Sequence, residues 1–133
     1  MLVEHARNLM GIADAVHGEY GLPGTQVVTA LACSLADNEI VVKLRRGSRL
    51  RDLYGADAVR EKTTCNYGLN PDFASIASSA GMQVAAIDDT GEVRAVERAD
   101  HPFFFGTLFQ PQLTSLPGAP HPVWVGFIRA VVV

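Results

Sequence analysis

Residues 101–112 read His101-Pro102-Phe103-Phe104-Phe105-Gly106-Thr107-Leu108-Phe109-Gln110-Pro111-Gln112, and the rest of the chain is interpreted around them. The apolar run Phe103-Phe104-Phe105 has the composition of a buried strand, predicted to continue to Phe109. Pro111 has no N–H to give to a ladder, so the sheet is expected to stop just beyond Phe109. The side chains of Gln110 and Gln112 then fall where an α/β sheet runs out, the usual place for a ligand crevice.

Moving outward, 133 residues is one domain's length, and 48% hydrophobic with 19% charged residues suits a folded core. The net charge of −3 and scattered basic residues give no footprint for nucleic acid. One basic cluster, Lys43, Arg45, Arg46, Arg49 and Arg51, is read as a solvated face. The apolar run near Val123 to Val133 is too short to cross a bilayer and contains Arg129, so no membrane association is expected. Two cysteines and no visible signal peptide lead to the expectation of a soluble, cytoplasmic protein with reduced thiols.

Leu2, Val3, Ala6, Leu9, Met10, Ala13 and Val16 recur at helical spacing and predict an opening amphipathic helix. A turn at 21–24 is followed by predicted strands over 26–33 and 39–44. Ser48 is the expected cap of a short helix ending near Gly55, and 63–67 is a weak strand candidate. Asn70-Pro71 is a helix start, its apolar face formed by Phe73, Ile76, Ala77 and Ala80. Strands over 83–87 and 92–97 flank a turn at 88–91, where Asp88 and Asp89 serve turn chemistry. After the phenylalanine-rich strand, a proline-rich link over 116–122 leads to a final helix with one apolar stripe. The mixture predicts an α/β domain, although no obvious buried parallel centre is visible.

The stretch from Asp100 to Gln112 resembles the end of class I glutamine amidotransferase domains, most closely the C-terminal domain of CTP synthase. There the pattern runs D-H-P-[FW]-F, then Q-F-H-P-E, then a proline-rich link to a last helix. Further matches in order are residues 3–8, Glu19-Tyr20, Leu53-Tyr54-Gly55 and the run 61–70, which shares Glu61, Tyr67 and Asn70 with the family's E-R-H-R-H-R-Y-E-V-N. The chain also resembles the group described as CTP synthase C-terminal-related (seleno)proteins, where a similar Pro-Gln ending is expected. The resemblance implies a partial class I glutamine-amidotransferase-like (flavodoxin-like) α/β sheet with flanking helices. Residues 1–133 would be the C-terminal portion of that domain, without its N-terminal half.

Departures from the family's pattern bear on function. Its members use a cysteine on a strand–helix elbow, a histidine base and a glutamate orienting the base. The resemblance places the elbow just before Met1, the histidine position at Gln110 and the glutamate position at Gln112. A glutamine amide cannot take a proton from a thiol near neutrality, as an imidazole can. The arginine that would grip glutamine's carboxylate is Asn66, beside Tyr67, whereas Glu19, the amine-holding position, is retained.

Cys65 lies in the site-facing segment, so both a substitute nucleophile and a small core residue remain open for it, while Cys33 is read as core. His101 is read as a turn residue, and His5, His17 and His121 have no metal-ligand spacing. No metal or cofactor is expected. The leading functional expectation is a degenerate CTP synthase-like amidotransferase domain without glutaminase activity, serving as a binding or interaction module. Its partners would be a small amine-bearing ligand and either a second copy or another chain at an open sheet edge. The alternatives are an enzyme of the same fold using Cys65 or an upstream nucleophile, a glutaminase supplying ammonia for CTP formation, and a structural domain with no ligand.

Overall fold

The computed structural model describes residues 1–132. Its first helix, α1 (Leu2–Leu9), buries His5 and Ala6 and ends well before the predicted Val16. Gly11 takes a left-handed φ of 72°, which a helix cannot continue through, and the chain turns. Ala15 and Val16 are buried instead as part of a strand, β1 (Ala15–His17), parallel to β2 (Thr25–Ala30). The helical spacing of Val16 was coincidental. Strand β2 is shorter than predicted, and Cys33, beyond its end, is exposed rather than core.

Strand β3 (Asn38–Leu44) leads through a turn to α2 (Arg49–Tyr54), which starts and stops as its sequence predicts. Ser48 Oγ accepts from Arg51 N at 3.1 Å, and Gly55 closes the helix at φ 65°. A buried carboxylate assists: Glu97 accepts from Arg49 N at 2.9 Å and Leu50 N at 3.0 Å, where the helix dipole is positive.

The single strand expected over 63–67 is two strands in different sheets. Strand β4 (Ala58–Thr63) pairs along β3, and β5 (Tyr67–Leu69) pairs with β2. Residues 64–66 are the crossing between the sheets. Over Pro71–Ser78 the coil has the tighter 3-10 form, with Phe73 outside helical geometry; Asn70 caps it as predicted.

Strands β6 (Met82–Ile87) and β7 (Val93–Arg98) form the expected hairpin. Asp88 accepts from Thr90 N and Glu92 N and bonds the buried Arg94 at 2.6 Å. The phenylalanine-rich stretch yields only three strand residues, β8 (Phe105–Thr107). Phe103, Phe104 and Phe105 are each half-buried, and the residue sealed in the core is Phe109, 1% exposed. Pro102 and the turn before it delay the ladder, so Phe103 packs edge-on against Phe105 and Phe127 instead.

The last helix, α3 (Pro122–Val131), docks on α2 where Gly126 meets Leu53; a Cβ there would lie 2.5 Å from Leu53 Cδ2. The strands make a five-stranded antiparallel sheet, β4-β3-β6-β7-β8, and a three-stranded sheet, β1-β2-β5. The fold is α/β, with β1–β2 the one parallel pair among the described residues. The basic cluster is solvated and partly paired: Lys43 with Asp89, Arg51 with Asp57, and Arg49 bonded to the carbonyls of His101 and Pro102.

Candidate functional site

Two chain crossings meet at the end of the larger sheet. Thr63 Oγ1 donates to Leu108 O at 2.7 Å and accepts from Cys65 N at 3.1 Å, while Gln110 N donates to Lys62 O at 3.0 Å. These bonds bring the 63–65 and 108–110 segments side by side, 45 residues apart in sequence. The Gln110 side chain completes the crossing. Its Oε1 accepts from Thr64 N at 2.8 Å and its Nε2 donates to Cys65 Sγ at 2.9 Å.

Gln110 and Cys65 thus meet, an amide facing a thiol. The amide donates one proton and accepts another without changing its own charge. Among the described residues no histidine ring is hydrogen-bonded to the Gln110 side chain or to Cys65 Sγ. Gln112, in the single 3-10 turn Pro111–Leu113, is exposed and its side chain makes no hydrogen bond among the described residues. It does not join Gln110 and Cys65.

The other candidates form a second group. Tyr67 pairs with Ala30 across β5 and β2, and its ring lies 5.4 Å from that of His17, which in turn lies 5.2 Å from Tyr20. His17 Nδ1 accepts from Glu19 N at 3.3 Å, and the exposed Glu19 carboxylate sits 3.9 Å from the same nitrogen. His17 therefore links Glu19 to Tyr67, a role the sequence did not advertise because its partners are two and fifty residues away. Asn66 Oδ1 accepts from Ser34 Oγ at 2.5 Å. A cavity of about 230 Å³ beside this group is lined by His17, Tyr67, Gly68, Leu69, Thr107 and Leu108 among others, but not by Gln110, Cys65 or Glu19.

A buried polar network behind the crossing was also missed. Glu61 on β4 accepts from Tyr54 Oη at 2.6 Å and Thr114 Oγ1 at 3.1 Å, and lies 2.9 Å from His121 Nε2. His121 Nδ1 accepts from Val123 N as the cap of α3, which leaves the proton on Nε2, directed at Glu61 and the Tyr54 oxygen. Burial pushes the Glu61 carboxyl up, but the bonds from His121, Tyr54 and Thr114 outweigh it and hold the group below its ordinary range. Burial, and then the Glu61 carboxylate, push the Tyr54 hydroxyl far above the usual tyrosine range. A histidine before Pro122 could have been recognised as a helix cap. Its bond to a glutamate 60 residues earlier could not.

No protein-family model matches the chain. CTP synthase of Archaeoglobus fulgidus is 31% identical over 140 residues, covering 97% of this chain and 26% of the relative. CTP synthase of Caulobacter vibrioides is 30% identical over 148 residues, covering 97% and 27%. The solved glutaminase domain of Trypanosoma brucei CTPS, with acivicin bound, superposes with a TM-score of 0.88 at 26% identity over 98% of this chain and 55% of that one. The chain is a glutamine amidotransferase-like domain resembling the C-terminal part of CTP synthase.

A GMP synthase-type protein of Thermoplasma acidophilum shares the fold alone, with a TM-score of 0.58 at 13% identity. The chain spans about a quarter of the length of the curated CTP synthases it matches, and 55% of the superposed glutaminase domain. No helix among the described residues is long and apolar enough to cross a membrane.

Proposed function

We propose that this amidotransferase-like domain does not hydrolyse glutamine and serves as a binding and interaction module. The observation that carries this reading is the Gln110 side chain. Its amide is committed to Thr64 N and Cys65 Sγ, where glutaminase chemistry needs an imidazole to take the thiol's proton. A thiol without such a base is largely protonated near neutrality and a weak nucleophile. Gln112, exposed and unbonded among the described residues, supports the same reading, since it orients no base.

The ligand we propose bears an amine and no carboxylate. Glu19 keeps a negative charge beside His17, while Asn66 offers an amide where the resemblance calls for a cation. The test of the first proposal is ammonia release from glutamine by the full 133-residue chain. The expected rate is that of the uncatalysed reaction. Release above it that disappears in Cys65→Ser would overturn the proposal and make Cys65 a nucleophile.

A further inference from the structure

Pairing accounts for three members of the basic cluster that runs from β3 into α2, and leaves two. Lys43 meets Asp89, Arg51 meets Asp57, and Arg49 is bonded to the carbonyls of His101 and Pro102. Arg45 and Arg46 are exposed, and neither guanidinium has a hydrogen-bond or ion-pair partner among the described residues. Asp57, bonded to Arg51, feels Arg46 only as a weaker, unbonded charge.

The backbone that carries these two arginines is fixed. Arg45 N donates to Ala85 O on β6 at 2.8 Å, and Ser48 N donates to Arg45 O at 3.1 Å. The second bond closes a four-residue turn whose third residue, Gly47, has a φ of 81°, the conformation that favours glycine. Ser48 Oγ donates to the same carbonyl at 2.7 Å. The N–H groups of Arg46 and Gly47 donate to nothing among the described residues. Together with Ser78 at the end of the 3-10 coil and Gln83 and Val84 of β6, the turn lines a cleft of about 430 Å³. Gln83 gives its Nε2 to the buried Glu97 at 2.6 Å, which leaves its Oε1 as an acceptor. The end of α2 contributes no donor here, because Glu97 takes Arg49 N and Leu50 N and Ser48 Oγ takes Arg51 N. Attraction for a ligand comes from the turn and its two side chains.

We propose that this cleft binds a small phosphate ester of a hydroxylated compound, the phosphate on Arg45 and Arg46 and a hydroxyl donating to Gln83 Oε1. Two neighbouring cations with no acid bonded to them repel each other, and a doubly charged phosphate relieves that repulsion. Guanidinium forks match phosphate oxygens, and the N–H groups of Arg46 and Gly47 add neutral donors. The volume is that of a small-molecule site, about 300–1,000 Å³. Nucleic acid is the poorer occupant, because the surface is a cleft and the chain carries a net charge of −3. The cleft shares no lining residue with the Gln110–Cys65 contact or the Glu19–His17–Tyr67 group, so the inference stands apart from the proposed function.

The experiment is an amide chemical-shift titration of the full chain with ribose 5-phosphate, inorganic phosphate and ribose, at an ionic strength held constant with chloride. The expected result is saturable shifts at the Arg46 and Gly47 amides with ribose 5-phosphate, about three- to tenfold tighter than with inorganic phosphate, and none with ribose. Arg45→Gln and Arg46→Gln should each weaken binding by about tenfold, with the rest of the spectrum unchanged because both side chains are exposed and unbonded. Shifts that fail to saturate, or that persist in the double variant, overturn the site. Equal affinity for inorganic phosphate overturns the role of Gln83 and the hydroxylated ligand. Tighter binding of a short single-stranded oligonucleotide than of ribose 5-phosphate, lost in the double variant, overturns the small-molecule reading in favour of nucleic acid.

Discussion

Removing the Tyr54 hydroxyl tests whether the buried Glu61 network holds the domain together as an ionised unit. In Tyr54→Phe the ring stays, edge-on to His121 with centroids 5.4 Å apart, and the principal loss is the 2.6 Å bond to Glu61 Oε1. A hydrogen bond to a charged group is worth about 1.5–3 kcal/mol, against about 1 kcal/mol between neutral groups. Glu61 keeps His121 and Thr114 as donors and is not orphaned, so the expected penalty near neutrality is about 2 kcal/mol. The pH dependence is the sharper part. Because Glu61 is held below its ordinary 4.5 in the folded state, the unfolded chain takes up the proton first as the pH falls. The network's stabilisation is therefore complete above pH 4.5 and is lost as the pH drops through the lowered folded value. Tyr54 is one cause of that lowering, so the variant's Glu61 should titrate higher, and the gap between the two proteins should narrow below pH 4.5. At the acid end about 1 kcal/mol, the neutral bond, should remain. Urea unfolding of both proteins across this range gives the difference directly. A penalty that is the same at every pH, or absent near neutrality, would refute an ionised Glu61 in the folded core.

Two further outcomes are expected. Glu97→Ala should destabilise the domain by about 3 kcal/mol in urea unfolding, because Arg49 N, Leu50 N and the Gln83 amide all lose their buried acceptor; a cost below about 1 kcal/mol would mean water replaces the carboxylate. In calorimetric titration, glutamine amide or a simple polyamine should bind more tightly than glutamine by about 1–3 kcal/mol, the worth of one charged hydrogen bond. Tightest binding by free glutamine, unchanged in Asn66→Arg, would remove Glu19 and Asn66 from the ligand site.

How much of this was legible in the sequence depended on the range of the interactions. Local signals held: Ser48 and Gly55 bracket α2, Asn70 caps the 3-10 coil, and Asp88 makes the β6–β7 turn. Periodicity failed where helix and strand spacings coincide, as at Val16, and where aromatic content alone suggested a strand, as at Phe103. Strand β4 escaped notice because it alternates charged and core residues on a sheet edge, with Glu61 rather than an aliphatic side chain pointing inward. The contact of Gln110 with Cys65 joins residues 45 apart, which no pattern within residues 101–112 could show. The family resemblance treated Gln110 and Gln112 alike, since whether two residues two apart share a site is decided by the turn between them.

The same geometry explains how position 110 can carry an amide without loss of the fold. Its backbone is fastened to β4 through Lys62 O, and the segment after it is fastened independently: Thr114 bonds Glu61, and Ser115 Oγ accepts from His121 N at 3.1 Å. Both anchors originate in backbone groups or in the Tyr54–Glu61–His121 network, none of which touches a side chain at 110 or 112. The Gln110 side chain adds two bonds to residues that β4 has already brought within reach. The energy that shapes this corner therefore lies behind it, in a buried carboxylate and its three donors. Exchanging an imidazole for an amide in front changes what the site can do to a proton and leaves the scaffold's principal bonds untouched. The hydrogen bonds that shape this corner thus do not pass through the side chain at position 110.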